Sequence, residues 1–434
     1  MALQKNRGRK IQPGELAVVV GAGRSGLAAA RLLRREGARV RLLDSNPGAF
    51  RGREDLLAEL GNLGIETLAG AHQPEHFSHA ALVVPSPGIP VASLEEFLLA
   101  GDVEVLAEME LAWRYLDNEP VLAVTGTSGK TTVASLAAAM LHEQGYSVFL
   151  GGNIGTPLSE YVLAGRSADV LVLEVSSFQL QLCLTFCPRV GILLNITPNH
   201  LDYHKDIAEY RAAKFRLFRC QDAGDLAVLG QSLRDCGELE SMGARKVFVQ
   251  ASARFSQSHL LGAHNRDNEE AAWQACRFFG VSEANAAKAV ARFAPLPHRL
   301  ERVAERRGVL YVNDSKCTTV SSLQVALEAF SRPVRLLCGG KFKGGDLGAL
   351  VPLVREKVRE VALFGAGREH FEKAWQGIVP MTWHESLEPA VRFASANARS
   401  GEVLLLSPGT ASYDLYRNYE ERGEDFKRIV GGLS

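Results

Sequence analysis

An excess of charge of either sign is absent from this chain: 49 Lys and Arg balance 49 Asp and Glu over 434 residues. Without a global field there is nothing to draw the protein to nucleic acid or to an anionic bilayer, so any charge that matters is local. Paired cysteines are absent too. The 7 Cys form no CxxC pair, and an odd, scattered set fits reduced thiols better than a disulfide framework. Cys183 and Cys187 lie four apart, but no His or second pair accompanies them, so they read as packing residues and not zinc ligands. No apolar run is long enough to span a bilayer, and the basic stretch Met1–Gly14 lacks the apolar core of a signal peptide. The expectation is a cytoplasmic protein with no nucleic-acid partner and no membrane insertion.

The chain does hold a hydrophobic fraction of 46% and a charged fraction of 23%, as ordinary globular proteins do. Its length exceeds one hydrophobic core and suggests about three domains of roughly 150 residues. Val121-Leu122-Ala123-Val124-Thr125 reads as a buried strand, and Gly126-Thr127-Ser128-Gly129-Lys130-Thr131-Thr132 leads from it into a helix expected over Thr132–Gln144. This is a phosphate-binding loop with Val124 at the first glycine of GxxxxGK[ST], so the strand before and the helix after carry the match. Backbone N–H groups of Gly126 to Lys130 are expected to point at phosphate oxygens. Lys130 would reach the β/γ-phosphates, and the Thr131 hydroxyl would ligate Mg²⁺.

Upstream, the strand at 16–20 runs into Gly21-Ala22-Gly23-Arg24-Ser25-Gly26, a helix through Arg35 and a strand ending in Asp44. This is the dinucleotide fingerprint, with its acid about 20 residues on. From the residues alone it suits NAD or the diphosphate of another nucleotide. Further strands are expected at 80–84, at 121–125, 146–150, 169–175, 190–196, 225–229 and 246–250, and, after Pro295-Leu296-Pro297, at 309–313, 334–338, 359–364 and 402–406. Strands alternating with helices imply mainly parallel sheets with ligands at their carboxyl ends. The predicted class is α/β in three domains: a Rossmann-like domain at 1–117, a central phosphate-loop ATPase domain at 118–295 and a Rossmann-like C-terminal domain at 296–434.

Four places could do chemistry. Glu174 is a carboxylate near the end of an apolar strand, and such a group needs a cation or a metal. His200 and His204 follow the next strand; Pro198 makes this a loop, His200 stands as a site candidate and His204 reads as surface. In the helix expected over Asp206–Arg219, Ile207, Tyr210, Lys214 and Leu217 share one face, so Lys214 lies in an apolar stripe. In the third domain, His298-Arg299, Asn313-Asp314-Ser315-Lys316 and Gly339-Gly340-Lys341-Phe342-Lys343 gather cations at strand ends, where an anionic ligand fits.

These segments, with Ser86-Pro87-Gly88-Ile89, Gly152-Asn153-Ile154-Gly155, Glu174-Val175-Ser176-Ser177-Phe178-Gln179-Leu180, Asn195 to Asp202, His264-Asn265 and Ser407-Pro408 to Ser412-Tyr413-Asp414, give the chain a close resemblance to the peptidoglycan Mur ligases. The SSFQL segment and the C-terminal run point to the D-glutamate-adding branch. The resemblance covers nearly the whole chain and implies substrates UDP-N-acetylmuramoyl-L-alanine, D-glutamate and ATP, two Mg²⁺ ions, and a monomer.

By the same resemblance Gly23, Arg24, Ser25, Asp44, Ser45, Ser86, Pro87 and Asn153 hold the UDP substrate instead of NAD. The phosphate loop, Asn265, Arg299 and Asp314 take ATP. Lys130, Glu174, His200 and Lys214 are the catalytic set, with Thr131, Glu174, His200 and a CO₂-carbamylated Lys214 as metal ligands. Lys316, Thr318, Lys343, Ser412, Tyr413 and Tyr419 surround D-glutamate. The chain departs from the family pattern at Cys317 and Thr319, at Phe342 in place of an acid, and at Gly409-Thr410, all of them near the amino-acid pocket.

Overall fold

Short apolar runs bounded by Gly or Pro become strands in the computed structural model, which describes residues 7–98, 103–165, 167–200 and 203–433. The first sheet comprises β1 Leu16–Val20, β2 Arg39–Asp44, β3 Ile65–Ala69, β4 Ala80–Pro85 and β5 Glu104–Val105. It is parallel, in the order β3-β2-β1-β4-β5. The chain leaves β1 on one side and returns on the other as β4, so a crevice opens at the carboxyl ends of these two strands.

The second sheet comprises β6 Val121–Thr125, β7 Val148–Gly152, β8 Val170–Glu174, β9 Val190–Leu193, β10 Leu226–Leu229 and β11 Arg245–Phe248. Again all strands are parallel, ordered β11-β10-β9-β6-β8-β7. Every residue of β6, β8, β9 and β10 is buried, as a parallel sheet covered on both faces requires. With β6 between β8 and β9, the phosphate loop emerges beside Glu174 on one side and Asn195 on the other.

The third sheet comprises β12 Glu301–Arg306, β13 Val309–Asn313, β14 Val334–Gly339, β15 Val358–Phe364, β16 Met381–His384 and β17 Val403–Leu406. Its order is β12-β13-β17-β14-β15-β16, with only β12 antiparallel to its neighbour. Alternate residues face two apolar clusters: Leu336, Val361 and Leu405 on one side, Leu337, Ala362 and Leu406 on the other.

By packing, the chain groups into two compact units, Met1–Ala251 with Asn268–Ala289 and Ser252–Asp267 with Val290–Ser434. The first unit holds the first two sheets. They share one core, in which Val19, Leu42 and Val84 join Ala123, Leu171 and Leu193. Cys183 and Cys187 are buried in that core. Among the described residues no helix is long and apolar enough to cross a membrane.

The expected strands all form, but four short edge or near-edge strands, β3, β5, β12 and β16, go beyond the expectation. Their polar residues hide them; β12 reads ERVAER and keeps only an intermediate or exposed face. The strand expected at 146–150 lies at Val148–Gly152, because Gly145 at φ 104° turns the chain later. The helix expected from Thr132 begins at Lys130. The helix expected over Asp206–Arg219 runs Ile207–Phe215 and tightens to a 3₁₀ turn at Arg216–Phe218. Asp206 caps it, its Oδ1 accepting the Glu209 N–H at 2.8 Å.

Candidate active site

The phosphate loop is shaped by Gly129, which sits at φ 85° with its missing Cβ position 2.6 Å from Asn268 Oδ1. Any side chain there would be strained and would collide. The left-handed turn aims the helix Lys130–Glu143 so that its N-terminus, which no side chain caps, opens at the end of β6. Asn195 holds the preceding residues. Its carbonyl accepts the Thr127 N–H at 3.0 Å, and its Oδ1 accepts the Ser128 N–H at 2.9 Å. Both N–H groups are engaged by Asn195 at the neighbouring strand end.

Two lysines converge on one carbonyl. Lys130 Nζ donates to Gly126 O at 3.0 Å and to Thr127 O at 3.1 Å, while Lys214 Nζ donates to Gly126 O at 2.9 Å. Lys214 is 1% exposed. Burial pushes its pKa well below the ordinary lysine range, the Lys130 charge lowers it further, and Glu174 opposes both. Its Nζ lies 4.6 Å from the centre of the Tyr210 ring, and the Tyr210 hydroxyl shares a hydrogen bond with Thr127 Oγ1 at 3.0 Å.

Glu174 is buried at the end of β8. Its Oε1 accepts from Asn153 Nδ2 at 2.7 Å, and its Oε2 is buried with no hydrogen-bond partner among the described residues. A buried carboxylate oxygen left this way is costly unless a cation takes it, so the site fits a divalent ion. Among the described residues no three His, Cys, Asp or Glu side chains gather as a metal cage.

His200 has φ 56° and an exposed ring edge-on to Phe178 at 4.9 Å. Leu201 and Asp202 lie outside the described residues. His204, expected at the surface, is 1% exposed. It is buried because its ring packs between Phe178 and Tyr210 and meets Ser177 Oγ at 2.9 Å. Spacing along the chain did not show this, because the packing partners Phe178 and Ser177 belong to another segment.

In the crevice of the first sheet, Gly26 packs so tightly on the turn that a Cβ would come 1.9 Å from Gly21 O. Asp44 Oδ2 accepts the Ala22 N–H at 2.9 Å and its Oδ1 accepts the Asn46 N–H at 2.9 Å, so the carboxylate braces the glycine turn. Ser86 Oγ donates to Gly21 O at 3.2 Å. Gly23, Arg24 and Ser45 are exposed around it, and Ser25 and Pro87 are half-buried.

In the second unit, three loops meet because β17 lies between β13 and β14. Asp314 Oδ2 accepts from Ser407 Oγ at 2.9 Å and Oδ1 from Leu300 N–H at 3.2 Å. Burial raises its pKa to about 7 against these bonds and the Arg299 charge. Arg299 stands between two left-handed residues, His298 at φ 61° and Leu300 at φ 44°. Arg422, fully buried, donates to Ser315 Oγ and to the carbonyls of Ser315, Thr410 and Gly339. It ties the three loops together, a role that its place in the C-terminal run did not show. Asn265 Nδ2 donates to Leu261 O at 2.6 Å. Lys316 Nζ sits 3.7 Å over the Tyr419 ring and Lys343 Nζ 5.5 Å from Tyr413. Ser412 is buried, Thr318 half-buried and Tyr413 exposed.

Family models described as Mur ligase MurD-like, N-terminal domain, Mur ligase middle domain and Mur ligase, glutamate ligase domain match residues 15–105, 124–236 and 298–409. The chain is 74% identical over 434 residues to the UDP-N-acetylmuramoylalanine--D-glutamate ligase of Desulfovibrio desulfuricans, covering 100% of both chains. The chain belongs to the Mur ligase family. The relative of the same name from Lawsonia intracellularis is 51% identical over 95% of this chain and 93% of its own length. A solved MurF ligase of Thermotoga maritima in complex with ADP shares the fold at a TM-score of 0.61 and 17% identity, covering 97% of this chain and 96% of that one.

The departures from the Mur ligase pattern each have a partner in this fold. Thr319 caps the helix Val320–Glu328, its Oγ1 accepting the Ser322 N–H at 3.3 Å. Phe342 stacks on His370 at 4.4 Å and packs on the core. Thr410 Oγ1 donates to Gly339 O at 2.6 Å. Cys317 is buried, and its carbonyl accepts the Gly409 N–H at 3.0 Å.

Proposed function

We propose that the chain is an ATP-dependent ligase that joins D-glutamate to UDP-N-acetylmuramoyl-L-alanine, forming an amide and releasing ADP and phosphate in peptidoglycan precursor synthesis. The observation that carries this reading is the end-to-end 74% identity to a ligase of that name; the phosphate loop beside Glu174 and Lys214 supplies the chemistry it needs. The substrate's L-alanine carboxylate attacks the γ-phosphorus of ATP, the bond to the β-phosphate oxygen breaks, and an acyl phosphate forms. The D-glutamate amine then attacks the acyl carbon, phosphate leaves, and the nitrogen loses a proton.

Domains at 1–117, 118–295 and 296–434 divide the work. The crevice of the first sheet takes the UDP moiety at Gly23, Arg24, Ser25, Ser45, Ser86 and Pro87, with Asp44 bracing the turn and Asn153 near the reacting end. Gly126 to Thr132 bind the triphosphate: Lys130, now folded onto Gly126 O, is within one side chain's swing of an anion at the helix start. Asn265, Arg299 and Asp314 are the proposed nucleotide ligands of the second unit. Lys316, Thr318, Lys343, Ser412, Tyr413 and Tyr419 are the proposed D-glutamate ligands.

Mg²⁺, when bound, offsets the charge of the triphosphate and the incoming carboxylate. Thr131, Glu174, His200 and Lys214 would hold two such ions. Lys214 must cease to be a cation to do so. Its depressed pKa leaves an uncharged amine that can add to CO₂, forming an N–C bond and releasing a proton, and the resulting carbamate is a hard oxygen ligand. Phosphate release from MgATP and UDP-N-acetylmuramoyl-L-alanine, compared across D-glutamate, L-glutamate, L-alanine and diaminopimelate, tests the reading. Release with D-glutamate alone is expected; release driven by another of these amino acids would overturn the specificity.

A further inference from the structure

His204 is a buried group that the reaction above does not use. Its main-chain N–H donates to His200 O at 2.9 Å. Its Nε2 shares a 2.9 Å hydrogen bond with Ser177 Oγ, in the first turn of the helix Ser177–Gln181 that follows Glu174 by two residues. The ring stacks on Phe178 at 5.5 Å and 30°, and meets Tyr210 at 5.3 Å. Tyr210 in turn reaches Thr127 of the phosphate loop. On the far side, Glu209 Oε2 lies 3.8 Å from Nδ1, and the same carboxylate accepts from Gln181 Nε2 at 3.0 Å. Residue 204 therefore holds the His200 carbonyl through its main chain, while its imidazole meets the helix after Glu174 and, through Tyr210, the phosphate loop.

We propose that His204 is a positioning residue that ties His200 to the helix following Glu174, so that His200 and Glu174 serve one divalent cation. The argument is geometric. His200 is exposed at a left-handed φ, a conformation that costs on the order of 1 kcal/mol or more and persists only where neighbours over-determine it. The bond from the main-chain N–H of residue 204 and the anchoring of its ring on Ser177 supply that constraint. Groups that orient a metal ligand from behind commonly change metal affinity by about 10–100-fold when removed. The proposal rests on the ligase reading for the identity of the site, but its test reads cation binding without turnover.

The experiment measures Mn²⁺ binding by electron paramagnetic resonance on the full chain with a non-hydrolysable ATP analogue, and the Mg²⁺ concentration for half-maximal phosphate release. His204→Phe keeps the ring packing and removes the bond to Ser177. It is expected to weaken Mn²⁺ binding and raise the Mg²⁺ requirement by about tenfold each, leaving the KM for D-glutamate within about twofold. His204→Gln, which can still bond Ser177, should recover most of the loss. Ser177→Ala removes the other partner with a smaller change in volume and should reproduce the loss, and the double variant should be no worse than either. Unchanged Mn²⁺ binding in Ser177→Ala, or losses that multiply in the double variant, would overturn the proposal. Weakened Mn²⁺ binding in a chain that ligates an amino acid other than D-glutamate would uphold the positioning role while removing the specificity reading.

Discussion

Asp314 offers a case in which stability and function pull in opposite directions. Its carboxyl is buried and is raised from the ordinary aspartate value of 3.8 to about 7 by loss of water, although Ser407 and Leu300 both donate to it. The folded state thus holds a proton that the unfolded chain has released at any pH between these values. The stabilisation from this proton is complete below pH 3.8 and is lost as pH rises through 7. A gap of about 3 pH units, at about 1.4 kcal/mol each, corresponds to roughly 4 kcal/mol. Asp314→Asn, which cannot ionise and can still accept from Leu300, should match the parent near pH 4 and exceed it by up to about 4 kcal/mol at pH 8.

The assay is urea unfolding at pH 4.5 and pH 8, followed through Trp375 and Trp383 after replacement of Trp113 and Trp273 by Phe, so that the signal reports the second unit alone. Turnover of the variant should fall at the same time, because the proposed nucleotide contact needs the carboxylate. Equal pH dependence in parent and variant, or a less stable variant at pH 8, would refute the linkage argument.

Two further outcomes follow from the same geometry. Lys214→Ala should abolish ligation without lowering the melting temperature, since it removes a desolvated amine, and a small added carboxylate should restore part of the activity; full activity without additive would remove the carbamate role. Phe342→Asp would restore the acid of the family pattern but exchange the stack on His370 and the core contacts for a partly buried charge. It should destabilise the second unit by about 1–3 kcal/mol, seen as a lower urea midpoint, with the KM for D-glutamate little changed; a parental midpoint with a tenfold change in that KM would put residue 342 inside the amino-acid pocket.

Much of this protein is legible along the chain because its decisive signals are local. A strand, a glycine turn and a helix start at Lys130 form one continuous segment, and the left-handed φ of 85° at Gly129 calls for a residue type that the sequence shows directly. Lys214 showed itself by falling in an apolar stripe, of which Tyr210, Lys214 and Leu217 are buried while Ile207, in the first turn, is exposed. What the chain alone could not decide is which strand ends become neighbours. β17 comes last in sequence yet lies between β13 and β14, and only that insertion brings Ser407 to Asp314 and lets Arg422 tie three loops. His204 looked like surface because its partners, Phe178, Ser177 and Tyr210, come from two other segments. Nor does the chain show that Asn195, about 67 residues away, holds the N–H groups of Thr127 and Ser128. Burial and hydrogen-bond satisfaction are properties of neighbours in space, and in a parallel sheet those neighbours are joined by crossovers too long for any local pattern to read.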